Sequence, residues 1–303
     1  MFARELALKI GGRLLGDDVV CERLAVPQRA SCNDVTIVVW PYDYSIIKNS
    51  HASVVICDTN CAVDCLFDSG KVLIVIDDVI SAFFALRTLV SFGAFKSPLE
   101  AFIHETAVIE PFVHIEPGAI IGAGCHIKAG TVIGAQCRLG NGVQIGAHSV
   151  IGADGFAPFG QEKTELLPSV GYVHIEDSVR LGAHCTVDRG VVGETRIKQG
   201  TLIDNMVHIG HDAVVGKNVV IAAQTALAGF VEIGDSATLG GQVGVVPHAV
   251  IGEGARISAK SLVRKVVGAY EIWSGNPSMP HAMYLKEYAR AKRRYRESNE
   301  KYH

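Results

Sequence analysis

Residues 204–212 read Asp-Asn-Met-Val-His-Ile-Gly-His-Asp, two histidines and two aspartates within nine positions. An imidazole is the usual general base near neutral pH, worth roughly 10²- to 10⁴-fold in rate when it is positioned. Asp212 or Asp204 is near enough in sequence to orient it. In acyl transfer to an amine, such a base takes a proton as nitrogen attacks a thioester, and backbone N–H groups hold the oxyanion. Gly210 would let the backbone come close. His248, in VGVVPHAVIG, is the second candidate, because its distance from His211 matches a period that runs through the chain.

That period is six. An aliphatic residue recurs at Ile103, Ile109, Ile115, Ile121, Ile127, Ile133, Leu139, Ile145 and Ile151, then at Ile175, Leu181 and Val187, and then from Ile197 through Val263. Two positions earlier stands a small or β-branched residue, as at Ala119, Cys125 and Thr131. This is the hexapeptide pattern of a triangular parallel β-helix: three six-residue sides make one coil, and the repeats give about eight coils. The aliphatic residue points to the axis and the small one fits the corner. In that register Ile209 is axial and Val207 lies at the corner, so His208 and His211 point outward. His248 follows His211 by two coils and one position, which places both imidazoles on one side of the prism, about 10 Å apart along the axis.

The ladder breaks twice, after Gly152 (DGFAPFGQEKTELLPSVGYVH) and around GVVGET. Long loops in compact domains are usually functional or mobile, so the first break is a candidate lid or clamp. Asp154 and Phe156 lie in it. Residues 1–98 lack the hexad and read as a small α/β domain, with helices at 3–10 and 80–90 and strands at 35–40, 53–57 and 72–76. Trp40, Tyr42 and Tyr44 cluster there around a proline, where aromatic rings can stack on a nucleobase or on their own domain. The β-helix is assigned 99–266. Residues 267–303 form an extension that begins with turn chemistry and becomes helical after Pro280.

The chain of 303 residues is 49% hydrophobic and 19% charged, the composition of a folded protein. Its longest apolar run is interrupted by Asp77, Asp78 and Arg87, and Arg4 and Glu5 interrupt the place of a signal-peptide core, so a cytoplasmic, non-membrane-spanning protein is expected. No CxxC pair occurs among the eight cysteines, and His208 with His211 has no obvious third ligand, so no metal is expected. Net charge is −3, but seven Lys or Arg against three Glu fall between Lys286 and His303. That basic stretch, including Arg290, Lys292, Arg293 and Arg294, suits an acidic partner, or else caps the last coil as a solvated helix.

The order of GADGF (152–156), CTVDRG (185–190), LIDNMVHIGHD (202–212), GGQVGVVPH (240–248) and SGNP (274–277) resembles UDP-3-O-(3-hydroxyacyl)glucosamine N-acyltransferase of lipid A biosynthesis. The resemblance implies a left-handed β-helix, a homotrimer with active sites between subunits, a uridine-binding N-terminal domain and no nucleic-acid partner. It implies His211 as the base, His248 near the thioester, and Asp204 with Asn205 as an acceptor-site pair. Asp154, Phe156, Trp40, Tyr42 and Tyr44 complete the candidate contacts to a UDP-amino sugar. The donor would be acyl carrier protein with its 4'-phosphopantetheine arm, no cofactor being bound, and Arg264 and Lys265 would join the basic tail in docking it. Where the family has AHN, this chain has Gly210-His211-Asp212, as in the related O-acyltransferase. An acyl- or acetyl-CoA-dependent N-acyltransferase of another UDP-amino sugar is the alternative.

Overall fold

The computed structural model describes residues 1–27, 30–38, 49–59, 70–91, 100–159 and 164–299. Trp40, Tyr42 and Tyr44 lie outside the described residues.

Three parallel sheets, two of eight strands and one of ten, form the sides of a prism. Most strands are only two residues long, one facing outward and one on the axis, because a six-residue side leaves no room for more. Coils stack in exact register, so axial residues pair with axial residues: Ile103 with Ile121, Ile121 with Leu139, and Leu139 with Ile175 across the first break. From Ile121 upward the axial column is almost wholly excluded from water. At roughly 1.5–3 kcal/mol per fully buried aliphatic side chain, this column holds the coils together.

The corners explain the rest of the hexad. Ala119, Cys125, Thr131 and Ser149 are completely buried. Several corner hydroxyls donate to a glycine carbonyl one coil on, as Thr201 does to Gly216 (2.7 Å) and Thr225 to Gly240 (2.9 Å). Three positions after most axial residues the backbone turns through the left-handed region, and many of these residues are not glycine: Asp212, Phe230 and His248 have φ of 56°, 60° and 60°.

The N-terminal domain is a five-stranded sheet in the order Arg13–Leu15, Val72–Ile76, Val54–Asp58, Asp34–Val38, Arg23–Leu24. The three central strands are buried throughout, and helices α1 (Ala3–Lys9) and α2 (Val79–Ser91) contribute to the core. The short edge strands escape sequence reading because two or three residues cannot display an alternation. Both ladder breaks feed this domain. Leu167 and Val170 from the first and Val191 from the second join its core. The first break also forms a hairpin, Pro158–Phe159 against Glu165–Leu166.

Beyond the last coil, helix α3 (His281–Asn299) starts directly after Pro280. Its origin is pinned by a hydroxyl chain, with Ser258 2.6 Å from Ser274 and Ser274 2.7 Å from Nδ1 of His281.

Candidate functional site

A groove of about 750 Å³ runs along one prism edge, between the outward residues of one sheet and the hairpin of the first break. Its lower end holds His211 and its upper end His248, so the two histidines do share one edge. Phe230, one coil above His211 and one below His248, fills the space between them. Its ring meets His211 edge-on at 5.0 Å and stacks on His248 at 4.8 Å.

His211 points away from the axis, yet its side chain is only 12% exposed. The first break covers it: a Cβ on Gly155 would fall 2.6 Å from the His211 Cβ, so only glycine lets the loop lie this close. The Asp212 carboxylate, fully buried, lies 3.1 Å from His211 Nδ1. Asp212 also accepts hydrogen bonds from the backbone N–H groups of Val191 (2.8 Å) and Gly193 (3.1 Å). With Nδ1 against a carboxylate, the hydrogen sits on Nδ1 and the Nε2 lone pair is left free. Nε2 abuts Gly229, where a Cβ would come within 2.6 Å of it. The Gly229 N–H donates to no group among the described residues.

A second cluster lines the same groove. His208 Nδ1 is 2.8 Å from the Thr186 hydroxyl, and its Nε2 is 3.7 Å from the Asp188 carboxylate. Burial pushes the Asp188 carboxyl up from its ordinary value, against the opposite pull of His208 and His211. Above His208 the outward positions of the sheet are Ala226, Gly244 and Leu262, in register coil by coil. Two small residues make an apolar trough. Leu262 closes it, with Cδ1 3.3 Å from where a Cβ on Gly244 would be.

The other candidate residues separate into three groups. Phe156 is 74% exposed at the groove, whereas Asp154 forms an ion pair with Arg87 of α2 at 2.5 Å. Asp204 and Asn205 lie on a different edge of the prism, and within one chain they do not reach the groove. Asn205 there caps a turn, its Oδ1 accepting from the Ala183 N–H at 2.7 Å, as Asn141 does for Ala123. Arg264 and Lys265 line a separate cavity of about 490 Å³ with Trp273 and Pro280, beside the start of α3. On α3, Arg290 pairs with Glu287 at 2.6 Å, and Lys292, Arg293 and Arg294 are exposed.

Gly210 does line the groove, as the expected close approach of its backbone requires, but it does not offer its amide there. Its N–H is committed to the Leu227 carbonyl in the coil ladder, and Gly229 takes that place. Sequence reasoning also passed over Phe230 and Asp188, whereas Leu262 falls within residues 258–263, the stretch expected from sequence to block the groove. The hexad count alone would have found Phe230, because it lies exactly one coil below His248. Among the described residues no group of three or more His, Cys, Asp or Glu is arranged to hold a metal ion. No described helix is long and apolar enough to cross a membrane.

Comparison with known proteins fits this fold. The model "Bacterial transferase hexapeptide (six repeats)" matches residues 100–135 and 194–229. A solved UDP-N-acetylglucosamine acyltransferase of Francisella novicida superposes with a TM-score of 0.56 at 28% identity, covering 60% of this chain and 66% of that one. The chain is thus a hexapeptide-repeat protein built as a left-handed parallel β-helix. Within that class it is similar to UDP-3-O-acylglucosamine N-acyltransferases: that of Caulobacter sp. (strain K31) is 42% identical over 142 residues, and that of Wolinella succinogenes 40% over 152. These matches cover 46% and 50% of this chain, and the chain spans under half the length of each relative, 42% and 48%.

Proposed function

We propose that the protein is an N-acyltransferase that moves a 3-hydroxyacyl chain from acyl carrier protein to the 2-amino group of UDP-3-O-acylglucosamine, in lipid A biosynthesis. The observation that carries this reading is a single half-hidden imidazole, fixed by a buried carboxylate, at the foot of an apolar groove. His211 Nε2 takes a proton from the amine as its nitrogen attacks the thioester carbon. The N–C bond forms, and the carbonyl oxygen becomes an oxyanion that the Gly229 N–H is placed to receive. Collapse breaks the C–S bond, and His211 returns the proton to the departing pantetheine thiolate. The trough over Ala226 and Gly244 accepts the acyl chain, and His248 and Phe230 border the approach of the thioester arm.

The supporting relatives are named for this acceptor, and the solved relative for a UDP-sugar. The carrier-protein donor, with its 4'-phosphopantetheine arm, is supported by the cations at Arg264, Lys265 and along α3. Because Asp204 and Asn205 sit on another prism edge, the acceptor-site role fits a homotrimer in which a neighbouring chain presents that edge to the groove. A cytoplasmic location follows from this donor. A panel of carrier-protein and CoA thioesters against amino and hydroxyl UDP-sugar acceptors tests the reading: an amide product from the carrier-linked donor supports it, and turnover with CoA donors alone favours the CoA-dependent alternative.

A further inference from the structure

The Asp212 carboxylate that holds His211 is itself held by a segment that belongs to another part of the molecule. Its two oxygens accept from Val191 N–H and Gly193 N–H, and its own backbone N–H donates to the Thr195 hydroxyl at 2.8 Å. All of these donors and acceptors lie in or beside the second break of the ladder. That break is no free loop. The Val191 side chain is 6% exposed and sits in the N-terminal core with Leu24, Leu167 and Val170. Gly193 lies against Val26 of the N-terminal domain, where a Cβ would come within 3.2 Å of the Val26 nitrogen. The segment threads between glycines because nothing larger fits: a Cβ on Gly171 would overlap the Gly193 carbonyl, and one on Gly190 would fall 2.8 Å from Asp212 Oδ1. Backbone bonds from Val170 to Val191 and from Tyr172 to Gly193 tie the first break to the second.

We infer that the N-terminal domain is a positioning element for the base: through Val191 and Val26 it sets the place of two amides, these fix the Asp212 carboxylate, and the carboxylate fixes the Nδ1–H form and the orientation of His211. The inference deepens the proposed acyl transfer and rests on it only for the role of His211. A carboxylate facing three donors has one arrangement that satisfies all of them. If the amides retreat, the buried oxygens must find other donors, and the imidazole loses the partner that selects its tautomer. Val26 lies outside the groove and acts only through Gly193 and Asp212, as a positioning residue; Val191 holds Asp212 with its backbone N–H while its side chain borders the groove.

The test reads the imidazole directly. In protein labelled with ¹⁵N-histidine, the His211 signal, assigned by its loss in His211→Gln, is expected in the Nδ1–H form for the unaltered chain at neutral pH. In Val26→Ala, and in Val191→Ala should the first not fold, a substantial Nε2–H population is expected. In the carrier-protein assay kcat should fall about 10-fold, a fraction of what a positioned base supplies, with KM for both substrates little changed. An Nδ1–H signal identical in the unaltered and substituted chains would overturn the inference, as would a raised acceptor KM with unchanged kcat. Because the spectrum needs no turnover, a clamp that fails and an acyl transfer that fails give different results.

Discussion

At the scale of single residues, the site depends on what surrounds one imidazole. His211 is exposed by position in the repeat and hidden by the loop above it, and the carboxylate beside it leaves Nε2 as the basic nitrogen. His211→Ala should lower turnover by roughly 10²- to 10⁴-fold, the contribution of a positioned general base, without unfolding the prism, since the side chain lies outside the axial column. Circular dichroism and thermal melting alongside the assay check both halves. Gly229→Ala keeps the backbone N–H and tests the close approach of the base to this coil. The added Cβ would land 2.6 Å from Nε2 and Cε1 of His211, so kcat should drop by at least about 10-fold while donor binding persists. That Asp212 could orient the imidazole was legible in the sequence, but what holds Asp212 was not, because its donors are backbone amides some twenty residues earlier. No residue type at 191 or 193 announces an amide that points at a carboxylate.

The elements divide sharply in how far sequence reveals them. The coils were legible, because a repeated axial aliphatic needs only counting and each coil contacts only its neighbours. The pairing of Leu139 with Ile175 across an insertion follows from the same count. Helix α3 was equally plain, since Pro280 ends what precedes it. The destination of the two breaks was not legible, because it depends on contacts between Val191 or Leu167 and a domain far earlier in the chain. The trough is an intermediate case. Once the register is known, Ala226, Gly244 and Leu262 fall in one line, and on the proposed acyl transfer Leu262 is expected to limit acyl length. Leu262→Ala should let the enzyme accept longer chains, read as a shift of the preferred acyl length in a donor series. Gly244→Val should shorten the preference or abolish activity. On α3, Lys292→Glu with Arg294→Glu should raise KM for carrier-linked donors several-fold and leave small thioesters unaffected, an effect that weakens in high salt.

For the whole molecule, Glu194, beside Arg23 and Leu24 of the N-terminal domain, ties stability to pH. Burial alone would raise the Glu194 carboxyl, but the hydrogen bond and charge of His174, the charge of Arg196 and the Tyr172 hydrogen bond outweigh it and hold the group down at about 2. A carboxylate depressed in the folded state stabilises the fold fully above its unfolded value near 4.3 and loses that contribution as pH falls toward 2. A shift of this size corresponds to about 3 kcal/mol at most. Melting temperature should therefore fall more steeply below about pH 4.5 for the unaltered chain than for Glu194→Gln, which starts less stable at neutral pH. Equal slopes for the two would assign acid sensitivity to other groups. The join between domain and prism also carries the clamp on Asp212, so one interface ties the fold's cohesion to the placement of the base.

The most direct test of the account is product mass. Purified protein supplied with 3-hydroxyacyl carrier-protein thioester and UDP-3-O-acylglucosamine should release a UDP-sugar heavier by one 3-hydroxyacyl group, joined by an amide that resists mild base, and His211→Ala should release it at least about 100-fold more slowly. Product formed equally by His211→Ala, or acylation found only on a hydroxyl acceptor, would contradict it.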